Sequence, residues 1–422
     1  MEQENIVFGL DIGTTKIVCL AGKLNEHDKL EILGVGKSKS LGVKRGIVNN
    51  IMQTVESINH AIELVHNDYG IKVSSVCTGI AGQHIRSLQH SDYITRDNPE
   101  KFIDQVDIEK LHKNVKKLIL LPGEEMIHVL AQEYKIDGET NINQPEGMYG
   151  SRLEANFHIV AGQTAAIKNI TRCVVESGLN ITALNLEPLA SADAVLSPEE
   201  KEAGVVLVDI GGGTTDVAIF KDGIIRHTAV IPFGGNVITE DIKEGCSIIE
   251  KDAEALKIRF GSAWPSENKD SEIVSIPGLR GREPKEISLK NLSKIIKARV
   301  EEIIDQVYRQ ITSYGFKEGK NKLIAGIVLT GGGSQLKHIK QLTEYITGMP
   351  TRIGFSNEHL AKGTLEEISH PSYATSVGLV LRGLKVNNFE DIQDSKEPGI
   401  KKSKPTFFEN WSKTFLNFLL NE

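Results

Sequence analysis

The chain has 422 residues, of which 40% are hydrophobic and 25% charged, and its formal net charge is −7. This length exceeds what one hydrophobic core usually supports, so we expect two or more domains. The negative charge gives no reason to expect a nucleic acid partner, and the four scattered cysteines contain no CxxC pair, which argues against a disulfide framework or a zinc site.

The N-terminal residues MEQENIVFG predict no signal peptide, because they carry no basic region and no long apolar run. No stretch of about 18 apolar residues occurs anywhere in the chain. We therefore expect a cytoplasmic protein.

The first predicted element is a β-hairpin, IVFGLDIGTTKIVCL, with strands expected at Asn5–Leu10 and Lys16–Ala21. Asp11 ends the first strand, where a carboxylate can hold the water shell of Mg²⁺. A glycine in the turn lets backbone N–H groups face an anion, and hydroxyl and ammonium groups add donors. The candidate phosphate-binding residues are Gly13, Thr14, Thr15 and Lys16.

The segment Ile85–Gly162 predicts a small domain of its own, because it is too long for a connection within one domain. Strands are expected near Ile85–Thr95, Met126–Ile136 and Arg152–Ala161, and an amphipathic helix near Val106–Leu120. A plain surface excursion would not explain three alternating strands.

The stretch LNLEPLASADAVL, Leu184–Leu196, predicts a small-residue helix that starts at Glu187 and Pro188. A carboxylate there could polarise a water molecule. The alternative is an ordinary helix start, where proline is favoured near the first position.

A second hairpin, VVLVDIGGGTTDVAIF, repeats the first about 200 residues later, with strands expected at Val205–Val208 and Asp216–Phe220. Either hairpin alone could be an ordinary Gly/Thr turn, but the two copies share D-I-G-x-x-T, including the aspartate, here Asp209. The candidate phosphate-binding residues of this copy are Gly211, Gly212, Gly213, Thr214 and Thr215. Two such hairpins facing each other would hold one triphosphate from both sides.

Two neighbouring stretches follow the second hairpin. IPFGGNVITEDI predicts a turn at Gly234, Gly235 and Asn236, and DAEALKIRFG predicts a helix with Glu254 and Lys257 on one face. A solvated ion pair is the alternative interpretation of these two charges.

The stretch Leu292–Ile311 predicts an amphipathic helix whose apolar residues face a core, with Arg299 on an exposed flank. The core-facing residues are Leu292, Ile295, Ile296, Ile303, Ile304, Val307 and Ile311.

The stretch AGIVLTGGGSQLKHI, Ala325–Ile339, predicts a strand followed by a glycine-rich loop and a helix with Ser334 as its cap. Gly331, Gly332 and Gly333 would let the backbone approach a flat ring or a ribose. A lone run of three glycines is weak evidence, but its place after the two hairpins makes it informative.

The C-terminal region changes composition after about Asn388, which predicts a flexible linker over 389–405. TFFENWSKTFLNFLLNE, 406–422, then predicts an amphipathic helix that lies on an anionic membrane surface, with KKSK just upstream. Its apolar face comprises Phe407, Phe408, Trp411, Phe415, Phe418 and Leu419. A helix that docks back onto the protein is the alternative, and the long polar linker argues against it.

The two aspartate hairpins and the glycine-rich loop resemble the actin/heat-shock chaperone/sugar-kinase ATPase superfamily. The insertion, the IPFGGNVITEDI stretch, PEGMYGSRLEANFHIV at Pro145–Val160 and the tail resemble the FtsA family of bacterial division proteins more narrowly. This resemblance implies an α/β, two-domain actin-like ATPase fold with duplicated ribonuclease H-like cores, a small inserted α+β subdomain and a C-terminal amphipathic helix. The implied subdomains are IA at 1–84 and 163–193, inserted IC at 85–162, IIA at 194–235 and 321–388, and IIB at 236–320.

The resemblance also implies ATP and Mg²⁺ as cofactors. Glu187 would orient the attacking water, while Gly234, Gly235, Asn236, Glu254 and Lys257 would face the ribose and adenine, and Ser334 would belong to the adenosine loop. The resemblance leaves open whether ATP is turned over or serves mainly to hold the two halves together.

As a partner, the resemblance implies the FtsZ C-terminal tail, bound by subdomain IIB through Arg299, Arg280 and Arg282. It further implies self-association into protofilaments, contact with anionic inner-membrane lipid and recruitment of later division proteins. The protein would then be peripheral, on the cytoplasmic face of the membrane at the division septum. Because Lys413 is the one basic residue on the tail helix, whereas FtsA tails usually carry several, lipid binding should be less salt-sensitive than usual.

Two other classes share part of this pattern. A PilM-like pilus-assembly ATPase would carry the insertion but lack the amphipathic tail. A carbohydrate kinase would share the hairpins and the glycine-rich loop, but it would need an aspartate base aimed at a substrate hydroxyl and no membrane helix.

Overall fold

A computed structural model describes residues 6–269, 271–277, 283–316, 322–363 and 366–394, with side chains described only to Lys385 in the last range. The predictions for Arg280, Arg282 and the tail at 406–422 lie outside the described residues. The elements up to residue 203, in chain order, are β1 (Val7–Ile12), β2 (Lys16–Leu24), β3 (Leu30–Lys39), β4 (Val43–Lys44), β5 (Ile47–Val48), α1 (Ile51–Tyr69), β6 (Ser75–Ile80), β7 (Ile85–Thr95), α2 (Gln105–Val115), β8 (Glu124–Ile136), β9 (Glu139–Ile142), β10 (Arg152–Gln163), α3 (Thr164–Glu176), β11 (Asn180–Leu186), α4 (Glu187–Val195) and α5 (Pro198–Ala203). The later elements are β12 (Val205–Ile210), β13 (Thr215–Lys221), β14 (Ile224–Ile231), α6 (Gly235–Cys246), α7 (Glu250–Phe260), β15 (Ile273–Ile276), β16 (Lys285–Ser288), α8 (Leu289–Ser313), β17 (Gly326–Thr330), α9 (Ile339–Thr347), β18 (Thr351–Ile353), α10 (Glu366–Ser369) and α11 (Ala374–Asp394).

Two five-stranded sheets repeat one topology. The first has the order β3-β2-β1-β6-β11 and the second β14-β13-β12-β17-β18. In each sheet the first three strands form an antiparallel meander and the last two join in parallel. The predicted duplicated α/β fold is therefore confirmed.

The duplicated hairpins are β1–β2 and β12–β13. Every residue of β1 and β12 is buried, as expected for central strands covered on both faces. Each first strand runs two residues further than predicted, so Asp11 and Asp209 lie within the strands, not after them. Strand pairing thereby fixes the direction of both carboxylates.

The predicted insertion is a separate four-stranded sheet of order β7-β10-β8-β9, with α2 packed on one face. Its core is apolar and includes Phe157, Leu153 and Leu111. Strand β9 was not expected from the sequence. The insertion also contacts edge strand β14 of the second half, where Ser87 Oγ donates to the Thr228 carbonyl at 2.6 Å.

Helices α4 and α11 pack against each other between the two sheets. Their axes approach closely because Gly378 has no side chain: a Cβ there would lie 1.8 Å from the Ala190 carbonyl oxygen. Helix α11 continues to Asp394, so the linker predicted to begin at residue 389 starts too early. An established helix can continue into a polar segment because each added residue gains one backbone hydrogen bond. The change in composition at residue 389 therefore does not mark the end of the helix.

Candidate functional site

A cleft of about 490 Å³ lies between the two halves of the molecule. Both hairpin turns, the glycine-rich loop after β17 and one face of α7 line it. Most of the predicted nucleotide-binding residues meet here: Gly13, Thr14, Thr15, Lys16, Gly211, Gly212, Gly213, Thr214, Gly235, Asn236, Glu254, Lys257, Gly331, Gly332 and Gly333. Segments that lie far apart in the sequence therefore meet in this cleft.

The two hairpin turns touch each other across the cleft. A Cβ on Gly212 would lie 2.3 Å from Thr15 Cγ2, and one on Gly213 would lie 2.6 Å from Thr14 Oγ1. Thr14 Oγ1 also accepts a hydrogen bond of 3.2 Å from the Gly46 amide. Glycine is therefore required in the second turn by this close approach, in addition to any ligand.

Three predicted residues do not line the cleft. Thr215 is fully buried and donates to the Phe233 carbonyl at 2.8 Å. Gly234 is the N-cap of α6, so the predicted turn at 234–236 is the start of a helix. Ser334 lies in a 3₁₀ turn and donates to the Gly331 carbonyl at 2.8 Å, so its prediction as a helix cap is wrong.

Besides Glu254, which pairs with Lys257, four carboxyl groups line the cleft: Asp11, Asp209, Asp216 and Glu187. Burial raises the pKa of Asp11 to about 6, although Lys16 and a hydrogen bond from Ser376 lower it. Burial also raises the pKa of Asp209. Burial and the neighbouring carboxylates together raise the pKa of both Asp216 and Glu187 well above the usual values. The positive charge near these carboxyl groups is therefore too small to offset their burial.

Asp216 was missed by sequence reasoning because it stands in an apolar strand. Its partner in the hairpin register is Asp209, so the second hairpin places two carboxylates side by side. Asp216 Oδ1 is buried without a hydrogen-bond partner among the described residues. The threonine-aspartate pair at the end of GGGTTD was the available signal.

The N-terminus of α11 holds one aspartate from each half. Ser376 Oγ donates to Asp11 Oδ2 at 2.9 Å, and Thr375 Oγ1 donates to Asp209 Oδ2 at 3.2 Å. Ser191 of α4 also donates to Asp209 Oδ2, at 2.6 Å. Neighbouring residues of one helix thus couple the two hairpins, a role that the sequence did not reveal.

The chemistry of the carboxylates fits Mg²⁺ bound through water. Within the described ranges, no three acidic, histidine or cysteine side chains are grouped to ligate one metal directly. Magnesium commonly keeps several waters and takes only one or two carboxylates, and the unpartnered oxygen of Asp216 needs a cation or donor. Asp11, Asp209 and Asp216 would hold the hydrated ion, and the charge of the ion would offset the repulsion among the three carboxylates.

Glu187 is the first residue of α4 and projects toward β6. A Cβ on Gly79 would lie 2.9 Å from Glu187 Oε1, so the absence of a side chain on β6 makes room for this carboxyl group. Pro188 follows at the first turn, as the helix-start interpretation expected. The helix-start interpretation of the Glu-Pro pair is therefore confirmed, and the water-positioning role of Glu187 stays a prediction.

The charges of α7 form an ion pair inside the cleft wall, with 2.7 Å between Lys257 Nζ and Glu254 Oε2. Lys257 Nζ also donates to the Gly235 carbonyl at 2.9 Å and to Thr239 Oγ1 at 2.7 Å. The Lys257 side chain is 13% exposed. The pair is thus anchored to α6, whereas a solvated surface pair would have no such contacts.

Arg299 lies on the side of α8 away from its core and is already paired. Its guanidinium donates to both oxygens of Asp241, at 2.5 and 2.9 Å, and to Glu302 at 2.5 Å. Its side chain is 24% exposed, so the exposed flank predicted from the sequence is half-buried. A partner carboxylate would have to compete with Asp241 or Glu302.

Among the residues that the structure describes, every helix is too short or too polar to cross a membrane.

Two family models match the chain. Residues 206–378 match the model described as "Cell division protein FtsA", and residues 82–161 match "SHS2 domain inserted in FTSA". The "Cell division protein FtsA" of Pseudomonas aeruginosa is 39% identical over 386 residues, which cover 91% of each chain.

Two solved structures share the fold. A chain of the "PilM-PilN type IV pilus biogenesis complex" aligns with a TM-score of 0.63 and 17% identity, over 90% of this chain and 98% of its own. MreB5 of Spiroplasma citri, in a crystal structure bound to ADP, aligns with a TM-score of 0.52 and 16% identity, over 94% of this chain and all of its own. At such low identity these likenesses establish the actin-like fold.

Proposed function

The chain belongs to the FtsA family of cell division proteins, and on that premise we propose that it binds Mg·ATP in the interdomain cleft and links FtsZ filaments to the membrane. The observation that carries the nucleotide part is the meeting of two Gly/Thr turns, a glycine-rich loop and the carboxyl groups of Asp11, Asp209, Asp216 and Glu187 in one cleft. Turn amides and hydroxyls suit phosphates, and the carboxylates suit a hydrated divalent cation.

The roles within the cleft follow from position. Gly13, Thr14, Gly211 and Gly212 would cradle the phosphates, and the loop at 331–333 would lie against the adenosine. Lys257 and Glu254 would meet the ribose or the base. Glu187 would position a water molecule, which makes slow hydrolysis possible without fixing its rate.

The partner and location are proposed from the family and the charge pattern. The FtsZ C-terminal tail is acidic, so it would bind the cations predicted for subdomain IIB: Arg299, Arg280 and Arg282. The tail at 406–422 would lie on anionic lipid of the inner membrane, on its cytoplasmic face, with protofilament formation and later division proteins assembling there. A PilM-like or kinase role is less well supported, because the sequence similarity to FtsA covers most of the chain.

A charge placed in the second turn tests the nucleotide proposal. Gly212→Asp should lower ATP affinity by at least about tenfold, since a carboxylate would face the phosphates and its Cβ would press on Thr15. The control is Gly138→Asp, the same change in a turn outside the cleft where a Cβ meets nothing within 4 Å; because the Gly138 backbone has a φ of +95°, which side chains rarely adopt, the folding of this variant is checked first by circular dichroism. Titration of both variants with ATP, in the presence of Mg²⁺ and of a chelator, gives the answer. Unchanged affinity in Gly212→Asp would contradict the proposed site.

A further inference from the structure

Lys16 is half-buried and its ammonium group has unused donors. Its Nζ donates to the Ser372 carbonyl at 2.6 Å and forms no other hydrogen bond or ion pair with a described residue. An ammonium has three N–H donors, so two remain for a ligand. Since Lys16 lines the cleft directly after the first turn, those donors are available to the phosphates that the turn would hold.

The ring of Tyr373 lies beneath this ammonium, with 3.8 Å between Lys16 Nζ and the ring centroid. A cation over an aromatic face is attracted by the ring quadrupole, and more strongly when both are removed from water. Tyr373 is 1% exposed, so the ring side of the contact is removed from water. The ring stabilises the charged form of Lys16, which is the form that attracts phosphate.

The position of the ring is fixed at both ends. The Tyr373 hydroxyl donates to Glu367, whose carboxylate also pairs with Lys37 Nζ at 3.0 Å. Two residues before the ring, the Pro371 carbonyl accepts from the Gly331 amide at 3.2 Å. The residues after it begin α11, which holds Asp11 and Asp209. Tyr373 therefore joins the glycine-rich loop, the first hairpin and the helix that couples the two halves.

We infer that Tyr373 is a positioning residue that holds the charged Lys16 toward the terminal phosphate of a bound nucleotide and so favours triphosphate over diphosphate. This inference rests on the proposed nucleotide binding. The ring supplies no contact to the ligand; it acts through Lys16. Its removal should therefore weaken ATP more than ADP.

The inference has a pH signature because Lys16 titrates within reach. Burial lowers the pKa of Lys16 to about 8, while the nearby carboxylates raise it and Lys37 lowers it. The charged or titratable groups around it are Asp11 on β1, Asp209 on β12, Lys37 on β3, Glu367 on α10, and His370 and Tyr373 in the segment before α11. Without the ring the ammonium should lose its proton at lower pH.

The test compares Tyr373→Leu with Tyr373→Phe, which keeps the ring and removes only the hydroxyl. Calorimetric titration with Mg·ATP and Mg·ADP, from about pH 6.5 to about pH 9, gives both affinities. In Tyr373→Leu, ATP should bind about fivefold more weakly and ADP less than about twofold, with the alkaline loss of ATP affinity moved to lower pH. Tyr373→Phe should keep the wild-type ratio. Equal losses for both nucleotides, with an unmoved pH profile, would overturn the inference.

A measurement on the wild-type protein decides the matter if Tyr373→Leu fails to fold. In protein labelled with ¹³C at the lysine ε-carbon, the Lys16 resonance, assigned with Lys16→Arg, should be shifted upfield by the ring and titrate near pH 8. An unshifted resonance that titrates at the ordinary lysine value would overturn the inference. Wild-type protein that binds neither nucleotide would instead refute the proposed function on which it rests.

Discussion

The carboxylates of the cleft are costly to the folded protein unless a cation neutralises them. The clearest case is Asp11, whose pKa burial raises to about 6 from its ordinary value of 3.8. Between these two values the folded chain keeps a proton on Asp11 that the unfolded chain has lost. The stability contributed by this group is therefore fully present below about pH 3.8 and is lost as the pH rises through about 6.

Asp11→Asn should remove this pH-dependent loss. Without ligand, the free energy of unfolding of the variant should rise relative to that of wild type by on the order of 3 kcal/mol as the pH goes from about 4 to about 7. The thermal midpoint of the variant should rise relative to that of wild type over the same range. With Mg·ATP, wild type should be stabilised and the variant should not, because the carboxylate that the cation needs is gone. Thermal melts of both proteins, with and without Mg·ATP, measure this difference.

The comparison with wild type is needed because other groups titrate in the same range. Burial lowers the pKa of His128 and of His158 to about 4, so their contribution to stability rises with pH in both proteins. That contribution cancels in the difference. If the thermal midpoints of the two proteins differ by the same amount at every pH, Asp11 carries no unfavourable charge.

For individual residues, the sequence predicts the members of the motifs but not the residues that hydrogen-bond to them. The glycines and threonines of the two turns are visible because their pattern is local and repeated. Ser376 and Thr375 are not, since Ser376 acts on Asp11 from 365 residues away. Ser334 was misassigned because a serine after glycines resembles a cap until the 3₁₀ turn is seen.

Helices α4 and α11 are the elements that join the halves. Gly378 lets them touch, and the same α11 supplies hydroxyl groups to the two cleft aspartates, Asp11 and Asp209. Ion pairs from α11 to α4, including Arg382 Nε to Asp193 Oδ2 at 3.2 Å, add a charged contact further along. A rotation of one half against the other would therefore have to change the contacts between α4 and α11.

Gly378→Ala should destabilise the protein by several kcal/mol, because the new methyl group would lie 1.8 Å from the Ala190 carbonyl and the two helices would have to separate. Chemical denaturation measures the free energy of unfolding. The control is Gly245→Ala on α6, where the three atoms nearest to a Cβ all belong to the Ile295 side chain, whose terminal methyl at 2.7 Å can move aside. The control should be neutral or stabilising by up to about 1 kcal/mol, since alanine favours helix. Equal effects of the two changes would contradict the close packing.

Element boundaries show where local patterns are reliable. The strand Ile85–Thr95 was predicted with the bounds that the structure has, because turn-forming residues lie on both sides of it, Gly82 before the strand and Asn98 and Pro99 after it. The helix predicted near Val106–Leu120 ends at Val115. The end of α11 at Asp394 was missed because polar residues continue a helix without an apolar signal.

The whole molecule combines a duplicated core with an insertion that reaches both halves. Side chains of the insertion donate hydrogen bonds to backbone carbonyls of the edge strand β14. Ser87 donates to Thr228, Gln89 to Arg226 at 3.1 Å, and Gln132 to Ile225. Such contacts cover an otherwise open sheet edge. The sequence predicted the insertion but gave no sign of this docking, since the polar residues involved look like ordinary surface residues.

The predicted tail gives the molecule its proposed membrane contact. Trp411→Glu should abolish pelleting with anionic vesicles, because it places a charge on the apolar face of the helix, while ATP affinity should stay unchanged. Asn410→Glu is the matched control: it adds the same charge to the neighbouring residue, which the predicted helix places opposite its apolar face, and it should weaken pelleting only slightly. Pelleting by Trp411→Glu at the wild-type level would contradict the anchor.

The most direct test of the account is co-sedimentation of the protein with anionic vesicles and purified FtsZ, comparing the full chain with one ending at Asp394, the last residue of α11. The account predicts that the full chain carries FtsZ into the vesicle pellet, whereas the shortened chain binds FtsZ in solution and leaves it there. Failure of both chains to bind FtsZ, or equal pelleting of FtsZ by both, would contradict it.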